Sequence, residues 1–189
     1  MNNILSLLRE STNNEFHYKG DKGNLITLQE TQKSSKCQSV QLKKGHIKTF
    51  TLELDKQNNI EIHPLLNSIE TLKKKCDYLI FCQKENTLYV LAVELKSDNS
   101  TGWTKQTRAG EMIARYLIGM IENYSGLNIT HVKFRHVLFS TQNANQLKGR
   151  KKKKITVEGF KYEQDHKWGF FFIRKPCNTT YPDLDIFLR

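Results

Sequence analysis

The sequence predicts an α/β domain with a mixed central sheet flanked by helices. Three observations predict it: two strand-length apolar runs at 76–82 and 87–96, an amphipathic stretch at 104–122, and a further apolar run at 132–140. Strands interleaved with a long helical pattern are the mark of an α/β layer arrangement. With 189 residues the chain suits one domain. We divide it into a core at about 62–140, a β-rich N-terminal extension at about 1–61 and a basic C-terminal part at about 141–189.

The elements follow in chain order. Ile4, Leu5, Leu7 and Leu8 predict a short helix near the start. Between 25 and 54 the chain reads as strands: Val40 and Leu42 alternate with polar residues, Lys43-Lys44-Gly45 suits a turn, and Phe50, Leu52 and Leu54 alternate again. Pro64 suits the first position of a helix running to about Lys75, with Leu65, Leu66, Ile69 and Leu72 on one face. The runs at 76–82 and 87–96 are rich in β-branched and aromatic residues and too apolar for a surface edge, which predicts central strands. In the helix at 104–122, Ala109, Met112, Ile113, Tyr116, Leu117, Met120 and Ile121 fall at helical spacing, and Gly126 stands just past its end. A strand at 132–140, a polar loop at 142–154 and a closing strand at 168–173 complete the pattern.

Thirty Lys and Arg against 19 Asp and Glu leave a formal charge of +11, which points to a polyanionic partner, nucleic acid first and an anionic membrane surface second. The apolar runs are too short for a spanning helix, which needs roughly 20 residues, and the start lacks a basic segment followed by an apolar one. Cys37, Cys76, Cys82 and Cys177 form no CxxC pair and have no histidine at zinc-finger spacing, so reduced thiols in a cytoplasmic protein are expected. Cys76 and Cys82, an even number apart, are expected on one strand face. Phosphate-binding glycine loops of the Walker and dinucleotide types are absent, and the histidines form no ligand pattern.

The informative stretch is 77–96. If Glu85-Asn86 is a two-residue turn, opposed residues on the two strands have numbers summing to 171, and Asp77 faces Glu94. Opposed residues share a sheet face with Cβ atoms about 4.5–5.5 Å apart, and Lys96, two residues past Glu94, projects on that face too. Two carboxylates so close between apolar strands repel and raise at least one pKa. A divalent cation relieves that conflict: Mg²⁺ takes one or two carboxylates together with waters and substrate phosphate. It also lowers the pKa of a bound water. Lys96 would orient that water or stabilise the phosphate.

Asp77, sixteen intervening residues and then Glu94-Leu95-Lys96, followed by an amphipathic helix and a strand, resembles the PD-(D/E)xK nuclease superfamily, with its restriction-endonuclease-like fold. The resemblance covers 62–140. It implies an αβββαβ core, hydrolysis of phosphodiester bonds with Mg²⁺ or Mn²⁺, Asp77 and Glu94 as metal ligands, the Leu95 backbone completing the shell, and Lys96 in the role just argued. Cys76 stands where the family has Pro. Glu70 is the candidate for the acidic residue of the preceding helix, and Lys105 or Gln106 for groups facing the site from the next one. Gln106 and Tyr116 are too far apart for the Gln–Tyr pair of RecB-like members.

Trp103, Lys105 and Arg108 follow the motif closely enough to contact nucleic acid, with capping of a small core as the equal alternative for Trp103. Lys148, Arg150, Lys151, Lys152, Lys153 and Lys154 would grip a phosphate backbone, with a solvated loop as the bland alternative. The aromatic cluster at 168–172 reads better as core strand than as a stacking platform. DNA is the favoured partner, in restriction, phage defence or repair. Two alternatives stay open: a non-catalytic nucleic-acid-binding module, and a subunit that docks on a partner through unpaired strand edges near 40–54. A homodimer is open as well.

Overall fold

The computed structural model describes residues 4–55, 74–97, 102–141, 154–157, 160–164 and 171–189. Residues 64–73 of the helix expected at 64–75, Glu70 among them, lie outside these residues, as do Lys148 to Lys153 and 168–170 of the aromatic cluster; Lys74 and Lys75 are not helical.

The chain forms α1 (Ile4–Ser11), β1 (Asp21–Lys22), β2 (Leu25–Gln29), β3 (Ser39–Lys43), β4 (Lys48–Glu53), β5 (Tyr78–Lys84), β6 (Thr87–Lys96), α2 (Trp103–Ser125), β7 (Val132–Ser140), β8 (Lys154–Val157), β9 (Phe160–Gln164), β10 (Phe171–Pro176) and β11 (Thr179–Tyr181), with a closing 3₁₀ turn at Leu184–Phe187. The fold is mixed α/β. Seven strands make a mixed sheet in the order β4-β5-β6-β7-β10-β9-β8, and β1-β2-β3-β11 make a second one. β4, β5 and β6 are antiparallel neighbours. β6 runs parallel to β7, and β7 parallel to β10.

The main sheet is covered on both faces, which is why β5 and β6 are apolar almost throughout. One face packs against α1 and α2 through Phe50, Leu79, Phe81, Val90 and Ala92. The other meets the small sheet, where Ile26, Leu28, Val40 and Leu42 pack against Tyr78, Ile80, Leu91 and Val93. Leu184, Phe187 and Leu188 of the last turn enter this second core. The hairpin register is the one expected: Lys84 pairs with Thr87 and Tyr78 with Val93. Glu85 in the turn has φ of 53°.

Three expectations are corrected. The open edges expected at 40–54 are corrected for β3, which is hydrogen-bonded to β2 and β11 on its two sides, while β4 ends the main sheet, paired with β5 on one side and met on the other by a single bridge from His17 to Leu52. Cys76 and Cys82 lie on opposite faces, Cys76 in the helix-side core and Cys82 in the other, because β5 begins only at Tyr78 and the period-2 rule does not extend back past Asp77. In α2 the buried residues are Trp103, Thr107, Gly110, Ile113, Ala114, Ile118 and Ile121. Met112, Tyr116 and Met120, expected on the apolar face, are exposed at 72, 60 and 37%. α2 ends at Gly126, whose φ of 69° suits glycine and whose N–H bonds the Glu122 carbonyl.

Candidate active site

The end of β6 carries the expected constellation. Glu94 and Lys96 project on the α2 side of the sheet, and the Lys96 ammonium lies 2.6 Å from Glu94 Oε1. Glu94 is fully buried, and Oε2 has no hydrogen-bond donor among the described residues. Asp77 sits one residue before β5. The antiparallel pairing continues through it, since its carbonyl accepts the Leu54 N–H at 2.9 Å. Its Oδ2 accepts the Leu95 N–H at 2.6 Å, which ties the loop before β5 to β6 at the level of Glu94. The Leu95 side chain is buried on the opposite face. Its carbonyl projects to the same edge of β6 as its N–H, toward Asp77, because the two groups of one strand residue point to one side.

The electrostatics follow from burial. Burial raises Glu94 well above the carboxylate range, Asp77 adds to this by repulsion, and Lys96 opposes it. Asp77 is partly exposed as a residue while its carboxyl sits deep among neighbours; desolvation pushes it up to about 7 against the Leu95 hydrogen bond and Lys96. Burial pulls Lys96 down, but the contact with Glu94 outweighs this and leaves the ammonium above its usual range. One cation thus faces two carboxylates, and the pair holds a proton or awaits a second positive charge.

Residues outside the motif complete the surroundings. Glu30, Glu53 and Asp55 line, with Asp77 and Tyr78, a cavity of about 30 Å³, room for about one water or ion. Glu53 arrives opposite Tyr78 through the β4–β5 pairing. Ser97, just past Lys96, accepts the Lys36 N–H at 2.8 Å and the Cys37 N–H at 3.3 Å, strapping the β2–β3 connection across the end of β6. Local sequence patterns gave no signal for Glu30, Asp55 or Ser97, because the contacts that bring them here span 22 residues or more along the chain. Glu53 was within reach of the Phe50, Leu52, Leu54 alternation.

Of the helix candidates, Gln106 reaches the site's border, its Nε2 lying 3.4 Å from the Lys75 carbonyl. Lys105 and Arg108 are exposed on α2. Trp103 is a correction: it is only 5% exposed and packs edge-on against Phe172 at 4.5 Å between ring centroids, so it belongs to a small core with Leu138 and not to a contact surface. Lys154 opens β8. All four cysteines are free and buried. Cys76 sits beside the carboxylates, which with burial keep its thiol protonated.

The donor set suits a hard divalent cation: two carboxylates, one with a buried unsatisfied oxygen, and a nearby backbone carbonyl. Among the described residues no group of three or more His, Cys, Asp and Glu side chains is placed to hold a metal ion. No helix there is long and apolar enough to cross a membrane. No protein-family model, no curated protein and no solved structure matches the chain.

Proposed function

We propose that the chain is a metal-dependent nuclease of PD-(D/E)xK type that hydrolyses phosphodiester bonds of nucleic acid, DNA in the first place, in restriction, phage defence or repair. The observation that carries this reading is the fully buried Glu94 carboxylate, coupled to Asp77 and given one lysine where two positive charges are needed. Among the described residues one lysine faces the two carboxylates, so the pair takes up either a proton or a second cation. The order β4, β5, β6, α2, β7, with β7 parallel to β6, supports a restriction-endonuclease-like core. The net charge of +11 supports the polyanionic substrate.

Asp77 and Glu94 would hold Mg²⁺ or Mn²⁺, with the Leu95 carbonyl on the same edge. The bound ion supplies a water of lowered pKa and neutralises charge growing on the phosphate. Lys96 stands close enough to Glu94 to donate to that water and fix its direction of attack, or to take charge on a phosphate oxygen. In the hydrolysis, the water oxygen bonds to phosphorus as the ester P–O bond breaks, the water gives up one proton, and the leaving oxygen takes one up.

The test is incubation of purified protein with supercoiled plasmid, linear duplex, single-stranded DNA and RNA in Mg²⁺, Mn²⁺ or EDTA. Cleavage is expected only with metal, and Asp77→Asn, Glu94→Gln and Lys96→Ala should each lower it by about a hundredfold or more. Binding without cleavage under every condition, or cleavage unchanged in all three variants, overturns the reading in favour of a non-catalytic nucleic-acid-binding module.

A further inference from the structure

Two tight turns stand side by side at the end of β4 far from the carboxylates. Gly23 and Asn24 join β1 to β2, and Lys44 to Ile47 form the bend between β3 and β4, where the Ile47 N–H bonds the Lys44 carbonyl at 3.1 Å. Each turn carries a glycine at positive φ, 52° at Gly23 and 60° at Gly45, a conformation that glycine takes without strain. Asp21 clasps the two together: its carboxylate accepts from Lys44 Nζ at 2.7 Å and from the Thr49 and Thr51 hydroxyls, each at 2.9 Å. Between the turns lies an open cleft of about 450 Å³, whose walls include Gly23, Asn24, Lys44, Gly45, His46 and Lys48. The charge here is one-sided. From 17 to 29 and from 39 to 50 the chain carries five lysines and one acid, Asp21, and Lys44 with the two threonines already satisfies that acid. Lys19, Lys22, Lys43, His46 and Lys48 are exposed. The neighbouring turn adds Glu85, two residues past Gln83, the partner of Lys48, too little to balance them.

We propose that this cleft is a sequence-independent grip for the phosphate backbone of nucleic acid, a second contact apart from the carboxylates. Phosphate oxygens are the ligands its groups suit. At the tip of the second turn the N–H groups of Gly45 and His46 carry no hydrogen bond among the described residues, and successive N–H groups beside a left-handed residue make a concavity for anions. Lysines supply point charges to a phosphate. Lys44 is held by Asp21 and enters the contact already oriented; Lys48 stands in the wall, and Lys22 precedes Gly23. Among the described residues no Phe, Tyr or Trp lines the cleft, so bases have nothing to stack on and the contact reads backbone, not sequence. A membrane surface offers anions too, but Ile47, the apolar residue of the second turn, is buried, and neither turn presents an apolar group to a lipid interior. Lys48 and Leu54 are six residues apart, and the Leu54 N–H bonds the Asp77 carbonyl. The grip therefore stands roughly 20 Å from the carboxylates, about six steps along a duplex. That it holds a strand during cutting rests on the nuclease reading; that it binds the backbone does not.

The experiment is fluorescence anisotropy in EDTA with a fluorescein-labelled 20-nucleotide single strand and the matching duplex, read across about 50 to 200 mM salt. Lys22→Gln/Lys48→Gln should weaken binding by about tenfold at the lower salt and reduce the slope of log affinity against log salt by about 1 to 2. Lys33→Gln/Lys133→Gln removes the same charge from exposed positions elsewhere and should change binding by no more than about twofold. Glu94→Gln should leave it unchanged. In ¹⁵N-labelled protein the amides of Gly23, Gly45 and His46 should shift saturably with the single strand. No binding of either oligonucleotide, equal weakening by the two double variants, or saturable binding that leaves those amides unmoved overturns the proposal. So does capture by phosphatidylserine vesicles that Lys22→Gln/Lys48→Gln abolishes while its oligonucleotide binding stays full, which assigns the surface to a membrane. Lysine-dependent binding by a protein that cuts no strand removes the nuclease reading and leaves the grip; cutting by a protein whose binding ignores these lysines does the reverse.

Discussion

A carboxylate taken out of water costs several kcal/mol unless it is paired and hydrogen-bonded, and Glu94 is both buried and only half satisfied. With Asp77 beside it, the two groups act as one titrating unit whose protons are held more tightly in the folded chain than in the unfolded one. Asp77 moves from an ordinary 3.8 to about 7 on folding. Across that window the folded state binds more protons than the unfolded state, so unfolding free energy falls as pH rises. The stabilising contribution is fully present below the unfolded pKa and is lost as pH passes about 7. Thermal melts in EDTA should therefore show a lower midpoint at pH 8 than at pH 5.5 from this pair. Glu111 and Asp185, held low by His136 and Lys84 respectively, change stability only at lower pH, and the readout is the difference between wild type and Asp77→Asn. That variant should gain on wild type more at pH 8 than at pH 5.5, and 10 mM Mg²⁺ should close the gap. A pH-independent difference between the two proteins would show that the pair is not what titrates.

At the scale of elements, α2 is held against the site by a close approach that only glycine allows. A Cβ on Gly110 would stand 2.3 Å from Cys76 Sγ and 3.4 Å from both Cys76 Cβ and Leu79 Cδ2. Gly110→Ala should cost about 1–3 kcal/mol by overpacking, and much of that should return in Gly110→Ala/Cys76→Ala, which removes the sulfur. Urea denaturation of the four proteins gives the coupling; additive effects would mean that the helix is seated by something else. Cys76 precedes Asp77 directly, so the single variant should also lower cleavage more than its loss of stability explains. Reading such elements from sequence works where the determinants are local. The register of β5 on β6, and with it the meeting of Asp77, Glu94 and Lys96, follows from a turn at 85–86 and an alternation of two. The length of α2 was legible within three residues, but its buried side only in part: Ile113, Leu117 and Ile121 face the core as expected, while Met112, Tyr116 and Met120, just as apolar, do not, and only the packing separates them. The face of Cys76 was misread, and the two readings of Trp103 could not be separated, for the same reason: each sits at the margin of an element, where periodicity stops and tertiary contacts decide.

The whole molecule is three layers, helices, main sheet and small sheet, and the third layer was the least legible because it is assembled from both ends of the chain. β11 pairs in parallel with β3, Thr179 beside Val40. Asn178, at φ of 55°, accepts the N–H groups of Gln38 and Ser39 through its side chain. From there the chain passes under the main sheet, where Lys84 and Asp185 meet at 2.5 Å and Phe187 packs edge-on against Phe139 and Tyr181. Apart from Phe187 on Tyr181, these contacts span some 50 to 140 residues, and no local pattern encodes them. They place the last turn on the face of the sheet opposite the carboxylates, so stability and chemistry are separable here. Phe187→Ala empties a fully buried position and should cost about 3–5 kcal/mol, a large share of the 5–15 kcal/mol typical of a domain. It touches neither Glu94 nor Lys96. At low temperature, where the variant is still folded, its metal-dependent cleavage per folded molecule should match wild type, while its urea midpoint falls sharply. Equal loss of both would mean that the small-sheet core sets the geometry of β6 and that the strap from Ser97 to Lys36 and Cys37 transmits it. An unchanged midpoint would mean that the last turn is not docked in solution.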